Sequence, residues 1–354
     1  MTHVIIVGAG VVGLMCARRL IHQGVRITLL EAEPEDFHVF RPAASQAAAG
    51  MLAPFDIEDG AYLEATLAAF DLWKDAVARA PWGAHVRFCG GLIGAAREAD
   101  AAAVQARAMV AGRKARAFTR AEIAKRAGFD LALDHAAFVE DEAVANTLPL
   151  LTALTEEVRS LGALVRHNAD VARVDALSAE TFDGDRYEGD AVLLAPGVWA
   201  NAALVEAAPV LGRVRPAKGH LVTVKTPKAM QANVHAGGVY LARRGDETVL
   251  GSTLQYDRYE RSVEDDQVQK LLAAAASLAP SQIAPAGRAW TGIRPMSPDG
   301  WPIVGQSKQV LVAAGHSRQG WLLAPLTAEI IAAQIAGRPA PAPARAFAPQ
   351  RFET

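Results

Sequence analysis

The sequence predicts a mixed α/β fold in which a parallel-sheet domain is interleaved with a second domain built on an antiparallel sheet. Three observations carry this. The first 31 residues read as a complete strand–helix–strand unit around a glycine-rich turn, VIIVGAGVVGL…LLE. Residues 214–256 are strand-rich and hold a hairpin signal at Gly245-Asp246-Glu247. Residues 310–336 return to strand, glycine loop and helix. A Rossmann-like sheet would therefore draw on both ends of the chain. Residues 1–60, 141–213 and 287–354 are expected in that domain, and 61–140 and 214–286 in the other.

Each element has its reason. Residues 3–7 are a short β-rich apolar run, the pattern of a buried parallel strand. Residues 14–23 read as a helix, with Gly24 at its C′ position, and 25–30 as a second apolar strand. Residues 43–54 are small; they suit either an alanine helix or a segment lying against something flat. Helical patterning follows over 61–79, 99–112 and 148–161, the last ended by Gly162. Short strands are expected at 163–166, 171–174 and 191–195, the last closing at Pro196-Gly197. Strands 239–244 and 248–253 form the hairpin, and 263–278 a helix. Strand 310–314 leads through Gly315 to a helix at 321–336, and Pro339, Pro341 and Pro343 predict an irregular tail.

Composition excludes several classes. The chain is 51% hydrophobic and 21% charged, which is globular rather than disordered. A formal net charge of −2 gives no bias toward nucleic acid or an anionic membrane. The cysteines are Cys16 and Cys89, without a CxxC, which excludes a disulfide framework and a cysteine zinc site. The histidines form no HxxxH pair, against a zincin-type metal site. The apolar run 4–17 has Arg18 and Arg19 behind it rather than before it, and is shorter than the ~20 residues of a membrane span. A soluble, cytoplasmic protein is expected.

Gly8-Ala9-Gly10-Val11-Val12-Gly13 follows a strand and opens a helix, the context in which GxGxxG points to a dinucleotide. Gly8 permits the turn, Gly10 lets a diphosphate reach the backbone, and Gly13 lets helix pack on strand. The helix N-terminus at Val11 and Val12 supports the phosphate charge. Glu31 alone is an ordinary surface acid; here it is placed to bond a ribose hydroxyl pair and disfavours the 2′-phosphate of NADP. Gly315, His316, Arg318, Gln319 and Gly320 form a glycine-bracketed loop before a helix beginning near Trp321 and Leu322. This aims free N–H groups at whatever lies above the sheet, unless the helix is merely a further crossover.

The choice between FAD and NAD rests on resemblance. Five segments resemble, in order, those of the D-amino-acid oxidase / glycine oxidase family of flavoenzymes, nearest to the thiamine-pathway type of glycine oxidase. They are VIIVGAGVVGL…LLE, ASQAAAGMLAP at 44–54, LLAPGVWAN at 193–201, GIRPMSPDGWPIVG at 292–305 and AAGHSRQGWLLAP at 313–325. The resemblance implies an FAD-binding Rossmann-like domain interleaved with a substrate domain on an antiparallel sheet. FAD would be non-covalent, because neither cysteine lies where related sarcosine oxidases attach it. Ala44, Ser45, Gly50 and Met51 would let the flavin lie against backbone, Ser45 offering a hydroxyl. Val171 falls where relatives pair backbone with adenine. Ala195, Gly197 and Trp199 would border the cofactor, or simply end a strand. The helix end at 315–322 would stabilise negative charge on the reduced ring.

The resemblance also assigns a substrate site. Arg294, in Gly292-Ile293-Arg294-Pro295, would bind a carboxylate with its planar fork. Tyr240 would bond the same carboxylate, or be a half-buried strand tyrosine. Arg318 would line the pocket or brace its loop, and His316 would be structural. Hydride transfer from Cα to flavin N5 requires no general base. Glycine oxidases usually carry an aromatic, an Asn and an aliphatic where this chain has Ser317, Gln319 and Trp321; Leu254 stands in place of a methionine, and Gly238 lacks a larger side chain. Trp321 would narrow the pocket toward compact or cyclic substrates, or face the core and change nothing. The expected oxidoreductase acts on CH–NH bonds of glycine, small N-methyl or D-amino acids. It gives imine and then oxo acid, ammonia or amine, and hydrogen peroxide from molecular oxygen. Two alternatives stay open: a dehydrogenase feeding a quinone or electron-transfer protein, and an FAD-binding subunit of a multi-chain sarcosine or proline dehydrogenase. Homo-oligomerisation is also open.

Overall fold

The computed structural model describes residues 1–35, 43–56 and 60–352. A six-stranded sheet runs in the order Ile303–Ser307, Val310–Ala314, Ala191–Leu194, His3–Val7, Arg26–Leu30, Leu164–Arg166. All neighbours are parallel except Ile303–Ser307 against Val310–Ala314. Widely separated parts of the chain thus share one sheet. Its strands alternate between two cores. Val4 and Ile6 point to the helices Val11–Ile21, Thr147–Ser160 and Gly320–Ile335. Ile5 and Val7 point to the helix Ala202–Ala207 and a three-stranded meander, Val171–Val174, Ser178–Thr181 and Arg186–Glu188. Burial on both faces explains why these strands are continuously apolar.

The helix Gly320–Ile335 contains Pro325, which has no N–H to give the carbonyl of Trp321. The indole of Trp73, on the helix Gly60–Arg79, donates there instead at 2.9 Å and reaches the Leu322 carbonyl at 3.1 Å. Trp73 also stacks on Trp321, with ring centroids 6.3 Å apart. One side chain therefore both satisfies and packs the irregular first turn.

The second sheet has nine strands. Eight run in the order Gln255–Tyr256, Arg215–Lys225, Glu247–Gly251, Val239–Arg244, Asn233–Ala236, Gly91–Ala95, His135–Val139, Ala115–Thr119. The ninth, Ala284–Met296, pairs with Arg215–Lys225. All pairs are antiparallel except Asn233–Ala236 with Gly91–Ala95. The strand Ala284–Met296 runs across the expected division at 287, so Arg294 belongs by pairing to the antiparallel sheet. A small sheet of Met51–Leu52, Ala143–Ala145 and Val86–Phe88 stands apart from both. The proline-rich stretch 338–343 is irregular, as expected. A short helix, Ala344–Phe347, follows it, with Phe347 fully buried against Tyr62 and Trp301, and then a single 3-10 turn, Pro349–Phe352. No helix among the described residues is long and apolar enough to cross a membrane.

Candidate active site

The two large sheets border a cleft of about 1290 Å³. Its first end is built at the N-terminal glycine turn. Gly8 has φ +105° and a Cβ there would collide with the Ala195 carbonyl, so no other residue lets the turn approach the neighbouring strand. Gly13 is not on the cleft; a Cβ on it would strike the Gly8 carbonyl, so its part is helix-on-strand packing. The helix Val11–Ile21 begins at the cleft, and its first-turn amides have no intrahelical partner. Ser45 Oγ accepts from Val11 N at 3.1 Å, which leaves the remaining positive end to the cleft. Glu31 accepts from Ala9 N at 2.7 Å and from Glu33 N at 3.0 Å, holding its carboxylate at the lip. Val171, Ala195, Gly197 and Trp199 complete this end, and Asn201 Nδ2 donates to the Val171 carbonyl at 2.9 Å.

The middle of the cleft is walled by small residues. Ala44, Ser45, Gly50 and Met51 lie along it, with Gly315 to Trp321 opposite. Residues 44–47 form one short helix, and Ala47 and Ala49 are buried. A Cβ on Gly292 would press on Ala47, so the glycine of the Gly-Ile-Arg-Pro motif admits this helix onto the antiparallel sheet. Trp321 donates its indole N–H to the Ser45 carbonyl at 3.0 Å and is only 5% exposed; its ring packs into the core on Trp73. His316 turns its imidazole inward to Thr327 Oγ1 at 2.8 Å, and burial holds it neutral with a pKa of about 3. The Leu322 side chain is wholly buried, turned into the core by the helix. Leu254 is 44% exposed and is not among the cleft's lining residues.

The far end is set by sheet register. Cross-strand partners share a face, so Ile93, His235, Tyr240, Gly251, Leu221 and Trp290 form one row across six strands. Gly251 and Gly219 are the gaps in this face: a Cβ on the first would strike Tyr240, and on the second the Arg294 guanidinium. Arg294 lies in the space these glycines leave. It donates to Ser252 Oγ at 2.6 Å and to the Thr253 carbonyl at 3.2 Å, and Tyr240 is close enough to influence it. Burial pushes its pKa down from the ordinary arginine value. Among the described residues it has no carboxylate ion-pair partner. A half-buried cation with neutral partners is costly and favours an anion arriving in the cleft.

Beside it stands a feature that the residue pattern did not reveal. His235 Nε2 bonds Glu142 Oε1 at 2.7 Å, and the same oxygen accepts from Asn233 Nδ2 at 2.8 Å. His235 Nδ1 lies 3.9 Å from Asp56, and Asp56 lies 3.7 Å from Arg318. Burial alone would lower the His235 pKa, but the Glu142 carboxylate outweighs it and holds it up at about 9. His235, Asp56 and Arg318 all reach the cleft. Arg318 is exposed on its loop, with Asp56 its ion-pair partner. A lone histidine in a strand carries no motif, and its glutamate lies 93 residues away, so only the fold brings the pair together. Cys16 and Cys89 are buried free thiols away from the cleft.

The donor set suits a dinucleotide with a flat ring: a glycine turn at a helix N-terminus, a carboxylate at the next strand end, and small residues facing a second helix start. Known proteins agree. Residues 3–334 match the family described as DAO, FAD dependent oxidoreductase. Glycine oxidase of Geobacillus kaustophilus is 33% identical over 57% of this chain and 56% of its own length. The bifunctional protein ThiO/ThiG of Synechocystis is 27% identical over 99% of this chain and 54% of its own. The chain thus spans about half the length of these curated relatives. The crystal structure of glycine oxidase from Geobacillus kaustophilus superposes with a TM-score of 0.82 at 26% identity, covering 98% of each chain. L-proline dehydrogenase from P. horikoshii shares the fold, with a TM-score of 0.85 at 18% identity over 99% of this chain and 98% of its own. The chain belongs to the FAD-dependent oxidoreductase family, and its cofactor is FAD.

Proposed function

We propose that the protein oxidises a small α-amino acid, either glycine-like, N-methylated or of D configuration, to the corresponding imine. The observation that carries this reading is Arg294: a cation on the cleft face of the antiparallel sheet, beside Tyr240, without a carboxylate partner among the described residues. In this reading its guanidinium fork and the Tyr240 hydroxyl grip the substrate carboxylate. Ser252 and the Thr253 carbonyl fix the fork from behind, so it does not swing into solvent between turnovers. Leu221 and the ring of Tyr240 keep the anchored end dry, which strengthens the ion pair. The substrate amine is released from its proton to bulk water, and the imine product is hydrolysed after leaving. FAD supplies the two-electron acceptor for the Cα hydrogen. Similarity to glycine oxidase supports the glycine-like class, and the family resemblance supports the D configuration.

The experiment is anaerobic bleaching of the purified flavoprotein by matched pairs of D- and L-amino acids together with glycine and sarcosine, followed by readmission of oxygen. Bleaching by glycine or D-forms is expected. Bleaching by L-forms alone would overturn the substrate class. Fast recovery of colour in oxygen marks an oxidase, and slow recovery a dehydrogenase needing another acceptor.

A further inference from the structure

The dinucleotide end of the cleft has a charge problem. Glu31, Glu33 and Asp170 line it, and FAD adds a diphosphate. The described arginines and lysines on the cleft are Arg261, Arg294 and Arg318. The last two belong to the other end, beside Tyr240 and Asp56. Arg261 alone stands among the acids, 4.0 Å from the Glu33 carboxylate.

Arg261 does not come from the parallel-sheet side. It lies on residues 257–263, which cross from the strand Gln255–Tyr256 to the helix Asp265–Leu278. That crossing is tied at both ends. Asp257 N donates to the Pro216 carbonyl at 2.8 Å. Glu264 receives Lys218 at 2.6 Å, Gln255 at 2.8 Å and Arg258 at 3.0 Å. Between these anchors the Arg261 carbonyl accepts from Thr291 Oγ1 at 2.7 Å, which fixes the backbone under the side chain. The guanidinium then lies over Trp199 at 4.7 Å from the ring centroid, and Tyr259 meets the same ring at 5.8 Å. Trp199 and Tyr259 are 45% and 50% exposed, so this stack bridges the cleft rather than filling a core. Among the described residues the Arg261 guanidinium donates no hydrogen bond, so a planar fork aimed by a stacked ring keeps its donors for a ligand.

We propose that residues 257–263 form a strap from the antiparallel-sheet side, and that Arg261, aimed by Trp199, binds the FAD diphosphate. One consequence is that the sheet carrying the substrate anchor also clamps the adenosine half of the cofactor. The strap is a feature of FAD retention, independent of which substrate is oxidised.

The test uses the holoprotein and three variants, Arg261→Gln, Arg261→Lys and Trp199→Leu. FAD release on dilution is followed by the rise of flavin fluorescence. The apoprotein so obtained is titrated with FAD, ADP and FMN. Arg261→Gln should release FAD at least tenfold faster and bind ADP at least tenfold more weakly, with FMN affinity unchanged. Arg261→Lys should recover part of the loss, because charge survives and the fork does not. Trp199→Leu should fall between them. FAD and ADP affinities within twofold of wild type in Arg261→Gln would overturn the proposal. An equal loss for FMN would also overturn it, because the defect would then be general rather than at the diphosphate. Unchanged circular dichroism of the variant apoproteins separates these outcomes from misfolding.

Discussion

Replacing Arg294 with methionine separates binding from folding, because the structure sets opposite signs for the two. The guanidinium has two neutral hydrogen-bond partners, Ser252 Oγ and the Thr253 carbonyl, and no carboxylate among the described residues. Its loss leaves those acceptors unpaired, at about 1–3 kcal/mol, but also removes a half-buried charge whose desolvation opposes folding. The two effects nearly cancel, so the folded apoprotein should change by no more than about 1 kcal/mol. Substrate binding has no such compensation. A carboxylate entering the cleft of the Arg294→Met variant would keep Tyr240 but lose the guanidinium fork, and removing one partner of a desolvated charged pair costs roughly 3–5 kcal/mol. At about 1.4 kcal/mol per tenfold, that is a factor of roughly a hundred to several thousand in the substrate concentration needed for half-maximal bleaching. Denaturant unfolding of the apoprotein and anaerobic titration of the holoprotein measure the two arms. A variant several kcal/mol less stable, with substrate affinity within threefold of wild type, would refute the reasoning, since Arg294 would then be a structural residue.

Three further outcomes follow from neighbouring contacts. Gly219→Ala places a methyl where the Arg294 guanidinium lies, so the arginine must move; about 1–3 kcal/mol of substrate binding should be lost with FAD content intact, and an unchanged titration would contradict the packing. Trp73→Phe leaves the Trp321 carbonyl above Pro325 without a donor and should lower stability by about 1–3 kcal/mol in denaturant unfolding, whereas a change below about 0.5 kcal/mol would mean water replaces the indole. His235 has a folded pKa of about 9, above its ordinary unfolded value near 6.5, so its pairing with Glu142 stabilises fully below about pH 6.5 and is lost as pH rises through 9. The loss is on the order of 3 kcal/mol and should vanish in His235→Gln; a wild type equally stable at pH 6 and pH 10 would contradict the ion pair.

The parts of this protein that can be read from residues alone are those where one local rule decides. Gly8 and Gly13 sit where only a missing Cβ fits, so the first strand–helix–strand unit is legible. Gly245, with φ +61°, turns the hairpin as expected. Arg294 is legible through its motif, but its surroundings are not: Gly219 and Gly251 open the sheet face only because strands far apart in sequence pair side by side. His235, Glu142 and Asp56 lie on segments with no common motif, and only the tertiary fold brings them together. The strand Ala284–Met296 is obscured by its glycines and prolines, which suggest loop although the long pairing with Arg215–Lys225 holds it extended. The Trp321 side chain is ambiguous in sequence because helix periodicity alone does not decide between core and cleft, whereas Trp73 and the Ser45 carbonyl do.

The central claim is that a carboxylate anchored at Arg294 is what brings an amine to the flavin for oxidation. It is tested most directly by comparing amino acids with the amines that lack only the carboxylate: glycine against methylamine, and D-alanine against ethylamine. Each is added anaerobically to the holoprotein while the flavin absorbance is recorded. Rapid bleaching by glycine or D-alanine, with rates for the amines lower by at least a hundredfold, is the predicted result. Equal bleaching by the amines, or none by any small amino acid while dithionite still reduces the flavin, would contradict it.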